Sequence, residues 1–364
     1  MKKTPWHNLI LIYSVHLIAV LSSDYFGQNI RAGRKAAPLP FWDTTLNGLS
    51  NWDGRWYLTI AENGYDPKSA AFFPLYPALI AFCKWLGIDP VIGGAIIANL
   101  AFFGLLIGLY HLASLDFSEP VVLRAIWYLA LFPTAFYFST LYTESLFLLL
   151  VVYSLYWARR QKWWPCCLAA GLATLTRSLG VFLLIPLLYE YRQGTKEAFT
   201  QQTGRITALI PFALIPAGLL SFMGYLSRTL SSPLAFMTAQ QYWKRHPDFP
   251  WSSIIKTGLY ITQGNNLFNM IFTLVAIVLV IWGTFYLRLS YSLFAALGLL
   301  IPLCSPASHS PLLSMPRFVL VLFPIYLVMA LLIRREQIHY AVLTLFTMAL
   351  CYLTILFANS RWVA

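Results

Sequence analysis

VIGGAIIANLAFFGLLIGLYHLA, residues Val91–Ala113, contains no Asp, Glu, Lys or Arg. At about 1.5 Å per helical residue this run alone reaches across a hydrocarbon core of ~30 Å. No water is available there to satisfy backbone N–H and C=O groups, so such a segment must be a helix. Outward from it, apolar runs recur from Leu9 to Phe357, near residues 8–22, 121–139, 141–158, 163–176, 179–191, 206–226, 267–287, 290–303, 317–333 and 338–357. The pattern predicts an all-α, polytopic transmembrane helical bundle of about ten or eleven spans. No internal repeat or low-complexity tract divides it, so residues 1–364 are read as a single membrane domain.

Composition agrees. Hydrophobic residues make up 59% of the chain and charged ones 10%, against roughly 25% charged in a soluble domain. The net charge of +12 is spread singly or in short groups beside apolar runs, such as Arg159, Arg160 and Lys162. That distribution suits orientation in the bilayer and contact with anionic membrane lipids, and it argues against nucleic acid as a partner. Trp163-Trp164 and Tyr189–Tyr191 sit where aromatic anchors meet headgroups. Five cysteines, mostly in apolar runs and without ligand spacing, indicate neither a disulfide framework nor a zinc site. Lys2 and Lys3 before Leu9–Leu21 read as an uncleaved signal anchor.

Two stretches are too long and polar to be simple connections, residues 23–70 and 227–266, and long ordered loops commonly carry function. With Lys2 and Lys3 inside and Phe72–Gly87 dipping into the membrane without crossing, Arg159, Arg160, Lys162, Arg192, Lys196, Arg205, Arg288, Arg334 and Arg335 all fall on the cytoplasmic side. Asp53, Glu144, Arg177, His309 and Arg317 then converge on the non-cytoplasmic surface.

The richest stretch runs from Asn51-Trp52-Asp53-Gly54-Arg55-Trp56-Tyr57 to Gly64-Tyr65. Asn51 is a favourable N-cap and Asn63-Gly64 a favourable stop, so a short helix is expected between them. Asp53, Trp56, Tyr57 and Ile60 share one face, as in an amphipathic helix on the membrane surface. In its first turn Asp53 complements the helix dipole, worth ~0.3–1 kcal/mol; it is equally placed to act as general base for an acceptor hydroxyl. The two readings carry equal weight on spacing alone. Pro74 and Pro77 interrupt the run Phe72-Phe73-Pro74-Leu75-Tyr76-Pro77, which at membrane depth requires a kink or a re-entrant element supporting a groove. Glu144 can serve a capping box with Thr140, or act in a site, the default for an acid near membrane depth. Arg177, between two short apolar segments and flanked by Thr176 and Ser178, can snorkel or grip a lipid phosphate with its planar fork. His309 and Arg317 lie on a late loop and are each modest signals. No Asp-x-Asp, Walker loop or dinucleotide fingerprint occurs, which argues against a soluble nucleotide donor. No motif demands a cofactor; a divalent ion, magnesium or manganese, has Glu62, Asp66 and Glu144 as its only gathered candidates.

Taken together, Trp52-Asp53-Gly54-Arg55-Trp56-Tyr57 with Ala61-Glu62-Asn63-Gly64-Tyr65, Ala71-Phe72-Phe73-Pro74-Leu75-Tyr76-Pro77, Leu131-Phe132-Pro133-Thr134-Ala135-Phe136, Tyr142-Thr143-Glu144-Ser145 and Thr176-Arg177-Ser178 resemble, in the same order, the motifs of the PIG-V type of GPI mannosyltransferase. The short length and small second loop resemble bacterial relatives, which leaves acceptor and sugar open. The resemblance implies a GT-C type glycosyltransferase. Such an enzyme takes a sugar, here mannose, from a polyprenyl-phosphate donor on the non-cytoplasmic face, of the plasma membrane in a bacterium. It passes the sugar with inversion to a lipid or glycan acceptor. The implied base is Asp53; Arg177, Arg317 and His309 are the expected phosphate partners, and Trp52, Arg55, Tyr57, Tyr65, Phe72, Phe73, Tyr76 and Glu144 the expected acceptor or groove residues. The competing class is a lipid or glycolipid flippase, for which broken helices and buried charges are equally natural.

Overall fold

The computed structural model describes residues 4–32, 40–197 and 209–363. Among them no β-strand forms, and the only extended pairing is a pair of isolated bridges joining Arg245 to Ala307 and Ala307 to Ser310. The helices are α1 (Trp6–Ala32), α2 (Phe41–Leu49), α3 (Asp53–Asn63), α4 (Leu75–Trp85), α5 (Pro90–Ala113), α6 (Glu119–Leu131), α7 (Glu144–Arg159) and α8 (Trp163–Thr174). They continue with α9 (Leu184–Glu197), α10 (Leu214–Leu230), α11 (Pro250–Leu259), α12 (Asn266–Tyr286), α13 (Leu289–Leu303), α14 (Met315–Leu320), α15 (Phe323–Leu332) and α16 (Glu336–Ala358).

Among the described residues five segments are long and apolar enough to cross a membrane: Trp6–Ile30, Pro90–Ala113, Ile210–Leu230, Asn266–Tyr286 and Glu336–Ala358. The remaining expected spans are realised as shorter helices, and proline explains two of the interruptions. Helix α6 stops at Leu131 because the residue before Pro133 is pushed out of the helical region, and Phe132 is extended at φ −51°, ψ 143°. The run expected over 317–333 breaks between α14 and α15, just ahead of Pro324. Residues 132–143 then continue as fully buried chain that is not α-helical, with one 3-10 turn at Ala135–Phe138. Their polar groups are satisfied by protein: Leu141 N donates to Leu49 O at 3.0 Å, and Thr134 Oγ1 to Pro316 O at 3.1 Å. Such backbone survives at membrane depth only when covered in this way.

Two loop expectations change. Residues 23–32 belong to α1 rather than to the first loop, because the apolar helix continues unbroken to Ala32. The second loop begins after α10 ends at Leu230, and it carries two short turns, Ala235–Thr238 and Ala239–Trp243, before α11. The segment expected to dip without crossing forms α4, whose eleven residues rise to only about half the hydrocarbon thickness. Arg205 lies outside the described residues.

Helices α5, α7, α8 and α10 pack in sequence, α1 lies along α16, and α6 along α15. Helix α7 carries Glu144 at one end and Arg159 at the other. At the Arg159 end a second polar cluster is fully paired: Arg159 grips both oxygens of Asp116 at 2.6 and 2.8 Å, and Arg288 those of Glu190 at 2.6 and 2.8 Å. At the Glu144 end the chain reverses sharply after α8, and Gly180 seats the turn. A Cβ there would lie 2.3 Å from Thr174 N and 2.4 Å from Ala173 C. Both contacts are rigid backbone, so Gly180→Ala is expected to lower stability by about 1–3 kcal/mol, the usual range for overpacking, read as a lower thermal midpoint in detergent; an unchanged midpoint contradicts this seating.

Candidate active site

Asp53 opens α3 after a strained residue. Trp52 has φ 57° and ψ −115°, a conformation that crowds a Cβ and costs on the order of 1–3 kcal/mol. Several contacts hold it there. Tyr142 Oη accepts the Asp53 N–H at 3.1 Å and donates to Asn51 O at 3.3 Å, and Trp52 meets Trp362 edge to face with centroids 5.2 Å apart. Asn51 does not cap α3 as expected; its side-chain amide donates instead to Phe357 O at 3.1 Å, at the end of α16. The stop reads as anticipated, with Gly64 at φ 80° just past Asn63. The aromatic face of α3 turns inward rather than outward: Tyr57 and Ile60 are buried, with Tyr57 against Phe72 and Tyr76. Burial pushes the Tyr57 phenol above its ordinary range, and the negative charges of Glu144 and Asp53 push it further.

The charged side chains alternate in sign. Arg317 Nη1 donates to Asp53 Oδ2 at 2.5 Å, Arg317 Nε lies 3.5 Å from Glu144 Oε1, and Arg177 Nη1 donates to that same oxygen at 2.5 Å. Glu144 is completely buried, and Arg317 and Asp53 each keep 12% of their side chains exposed. Glu144 is therefore the anchor of two guanidiniums and not a capping-box acid; its N-cap, Thr143, makes no side-chain cap. Two atoms of this group, Glu144 Oε2 and Arg317 Nε, are buried without a hydrogen-bond partner. Leaving such atoms unpaired is costly unless something else occupies the site.

The network forms one wall of a cavity of about 360 Å³. Its polar end holds Asp53, Tyr57, Glu144, Arg177, Arg245 and Arg317, and its walls continue through Phe72, Phe73, Leu179, Ile301, Pro302 and Val321. Of the residues singled out in the sequence, Asp53, Tyr57, Phe72, Phe73, Glu144, Arg177 and Arg317 come together here. The others do not line it. Trp52 and Arg55 are exposed, Tyr65 faces a separate groove of about 370 Å³ between α3, α4 and α10 while its hydroxyl donates to Phe72 O at 2.9 Å, and Tyr76 sits behind Tyr57 with its hydroxyl on Gly94 O at 2.9 Å. His309 is exposed on the turn between the two bridges.

Sequence reasoning missed Arg245, Trp243 and Trp362, which all line the cavity. Arg245 follows Tyr242-Trp243-Lys244 in the second loop, and nothing in that basic, aromatic stretch distinguishes the inward residue from its neighbours. Burial pulls its guanidinium down to about 10, nearby Arg317 adds to this, and Asp53 opposes it.

A divalent ion wants several free oxygen ligands. Glu62, Asp66 and Glu144 are not brought together: Glu62 is exposed, Asp66 accepts the N–H groups of Lys68 and Ser69, and Glu144 is engaged by arginines. Among the described residues no three acidic, His or Cys side chains gather as a metal site. The donor set does not fit such an ion.

Comparison with known proteins now has a geometry to meet. GPI mannosyltransferase 2 of Drosophila pseudoobscura pseudoobscura is 33% identical over 134 residues, covering 31% of this chain and 29% of that protein. The protein of the same name from Schizosaccharomyces pombe (strain 972) is 28% identical over 139 residues, 37% and 30% of the two chains. That from Cryptococcus neoformans var. neoformans serotype D (strain JEC21) is 31% identical over 194 residues, 47% and 45%. The chain thus matches less than half the length of each of these relatives. The family profile described as Mannosyltransferase (PIG-V) matches residues 36–249, well over half of the chain, and the match takes in Asp53, Glu144, Arg177 and Arg245. The chain belongs to the mannosyltransferase (PIG-V) family.

Proposed function

We propose that this protein is an integral membrane, inverting glycosyltransferase that moves mannose from a polyprenyl-phosphate carrier to a hydroxyl of a lipid or glycan acceptor, with its site on the non-cytoplasmic face. The observation that carries the reading is the shape and charge of one cavity, in which a carboxylate and clustered guanidiniums adjoin apolar walls. A phosphate-linked lipid needs both. The isoprenoid chain follows Phe72, Phe73, Leu179, Ile301 and Val321, while phosphate and sugar lie at the polar end.

In this reading the acceptor oxygen attacks the anomeric carbon as its proton passes to Asp53, and the bond from that carbon to the phosphate oxygen breaks. The electron pair leaves with the polyprenyl phosphate, which gains a negative charge. Cations nearby stabilise it as it forms, which is where preorganised electrostatics contribute most. Arg317 aims Asp53 through their ion pair, and Arg177 completes the cationic side. A transporter needs no carboxylate poised beside a sugar, and the charged groups of the cavity gather at the Glu144 end of α7.

The test is turnover of radiolabelled polyprenyl-phosphate mannose. Asp53→Asn keeps the side chain's shape and removes the base, so kcat is expected to fall on the order of 10²–10⁴ with donor binding retained. A folded Asp53→Asn protein turning over near the wild-type rate would falsify the assignment. Because the cavity offers arginines to the phosphate, transfer is expected to persist in excess chelator. Loss of turnover that magnesium or manganese restores contradicts that expectation.

A further inference from the structure

Three guanidiniums surround one ring. Arg177, Arg245 and Arg317 stand 5.7, 5.6 and 5.7 Å from the centroid of Phe318. Two of them are matched by carboxylates, Arg317 by Asp53 and Arg177 by Glu144. Arg245 makes no ion pair among the described residues; its Nη1 donates to Ser305 O at 2.7 Å and its Nη2 to Leu313 O at 3.1 Å. Three cations against two carboxylates leave the cavity with one positive charge, and that charge belongs to Arg245.

We infer that Arg245 is the residue that binds the donor's phosphodiester, while Arg177 and Arg317 position the carboxylates. Resting on the donor-site reading above, the assignment follows from three features. The ligand and the surplus match in charge, since a phosphodiester carries one negative charge. The group is preorganised: the two carbonyls fix its plane and leave further N–H donors of the fork free, and the loop behind it is stitched down by Ser308 N to Lys244 O at 2.9 Å and His246 N to Pro306 O at 3.2 Å. The charges of Arg177 and Arg317, by contrast, are already matched by buried carboxylates, and turning either away from its partner breaks a buried pair at a cost of about 3–5 kcal/mol.

The experiment uses the full-length protein in lipid nanodiscs and two probes of equal chain length, a polyprenyl monophosphate and the corresponding polyprenol. Arg245→Gln is expected to weaken polyprenyl phosphate binding roughly 10- to 100-fold, the scale of a lost charge-assisted hydrogen bond, and to raise the KM for donor while leaving polyprenol binding unchanged. A role confined to bracing the loops weakens both probes together, and that result overturns the assignment, as does undiminished phosphate binding. If Arg245→Gln does not fold, Arg245→Lys decides: it keeps the charge, loses the fork and is expected to bind the phosphate several-fold more weakly, and parity with wild type overturns the assignment. Wild-type turnover separates the two ideas. An enzyme that binds polyprenyl phosphate through Arg245 but transfers no mannose refutes the proposed reaction and keeps the anion site; one that transfers normally after Arg245→Gln refutes the site alone.

Discussion

Two carboxylates and three guanidiniums share a space from which most water is excluded, and the remaining architecture is arranged to keep them apart in the right order. In bulk water a pair of unit charges at 4 Å is worth about 1 kcal/mol, and several times that at the effective dielectric of a protein site. Attraction and repulsion both grow. The alternation Asp53, Arg317, Glu144, Arg177 puts opposite charges next to each other at every step. Each member comes from a different element: the start of α3, the body of α14, the start of α7 and the turn after α8. Losing register in any of the four exposes a buried charge, so the ion-pair chain fixes how these elements meet.

That requirement explains why the chain gives up regular helix where it does. A continuous helix through residues 121–158 places its charges along a face, whereas the break at Phe132-Pro133 lets buried irregular chain carry Tyr137, Tyr142 and Glu144 around Arg317. Tyr137 and Tyr142 lie 5.7 and 5.5 Å from that guanidinium and cushion it with ring faces. The break before Pro324 similarly isolates α14, a helix of six residues whose role is to aim Arg317. Strain at Trp52 belongs to the same pattern, since local cost is tolerated where surrounding contacts over-determine the geometry.

Legibility in the sequence followed the range of the interactions. Helix α3 with its stop at Gly64, and the long helices α5, α12 and α16, were readable because hydrophobic period and capping chemistry are local. Asp53, Glu144 and Arg177 stood out as charges flanked by apolar or small polar residues. What stayed hidden is non-local. Asn51 has the side chain of a cap but spends it on Phe357 O, 306 residues away, and the pairing of Arg317 with Asp53 spans 264 residues. Arg245 lies in a loop where Lys244 and His246 are exposed, and only the fold tells which of the three turns inward. His309 shows the converse, a residue type rich in chemistry that the fold leaves at the surface.

The distance between Asn51 and Phe357 also orders the birth of the protein. In a chain made and inserted in sequence order the Asp53 loop comes first, and the tryptophan that braces Trp52, the carbonyl that holds Asn51 and the guanidinium that neutralises Asp53 all follow far downstream. Until those segments emerge that loop has neither its countercharge nor its clamp, and contacts of such long sequence separation form slowly because their closure entropy is met before they are rewarded. The Asp53 loop is thus completed only when α14 has brought its guanidinium and α16, with Trp362 just beyond it, has entered the bundle, so elements remote from Asp53 in the sequence finish the machinery.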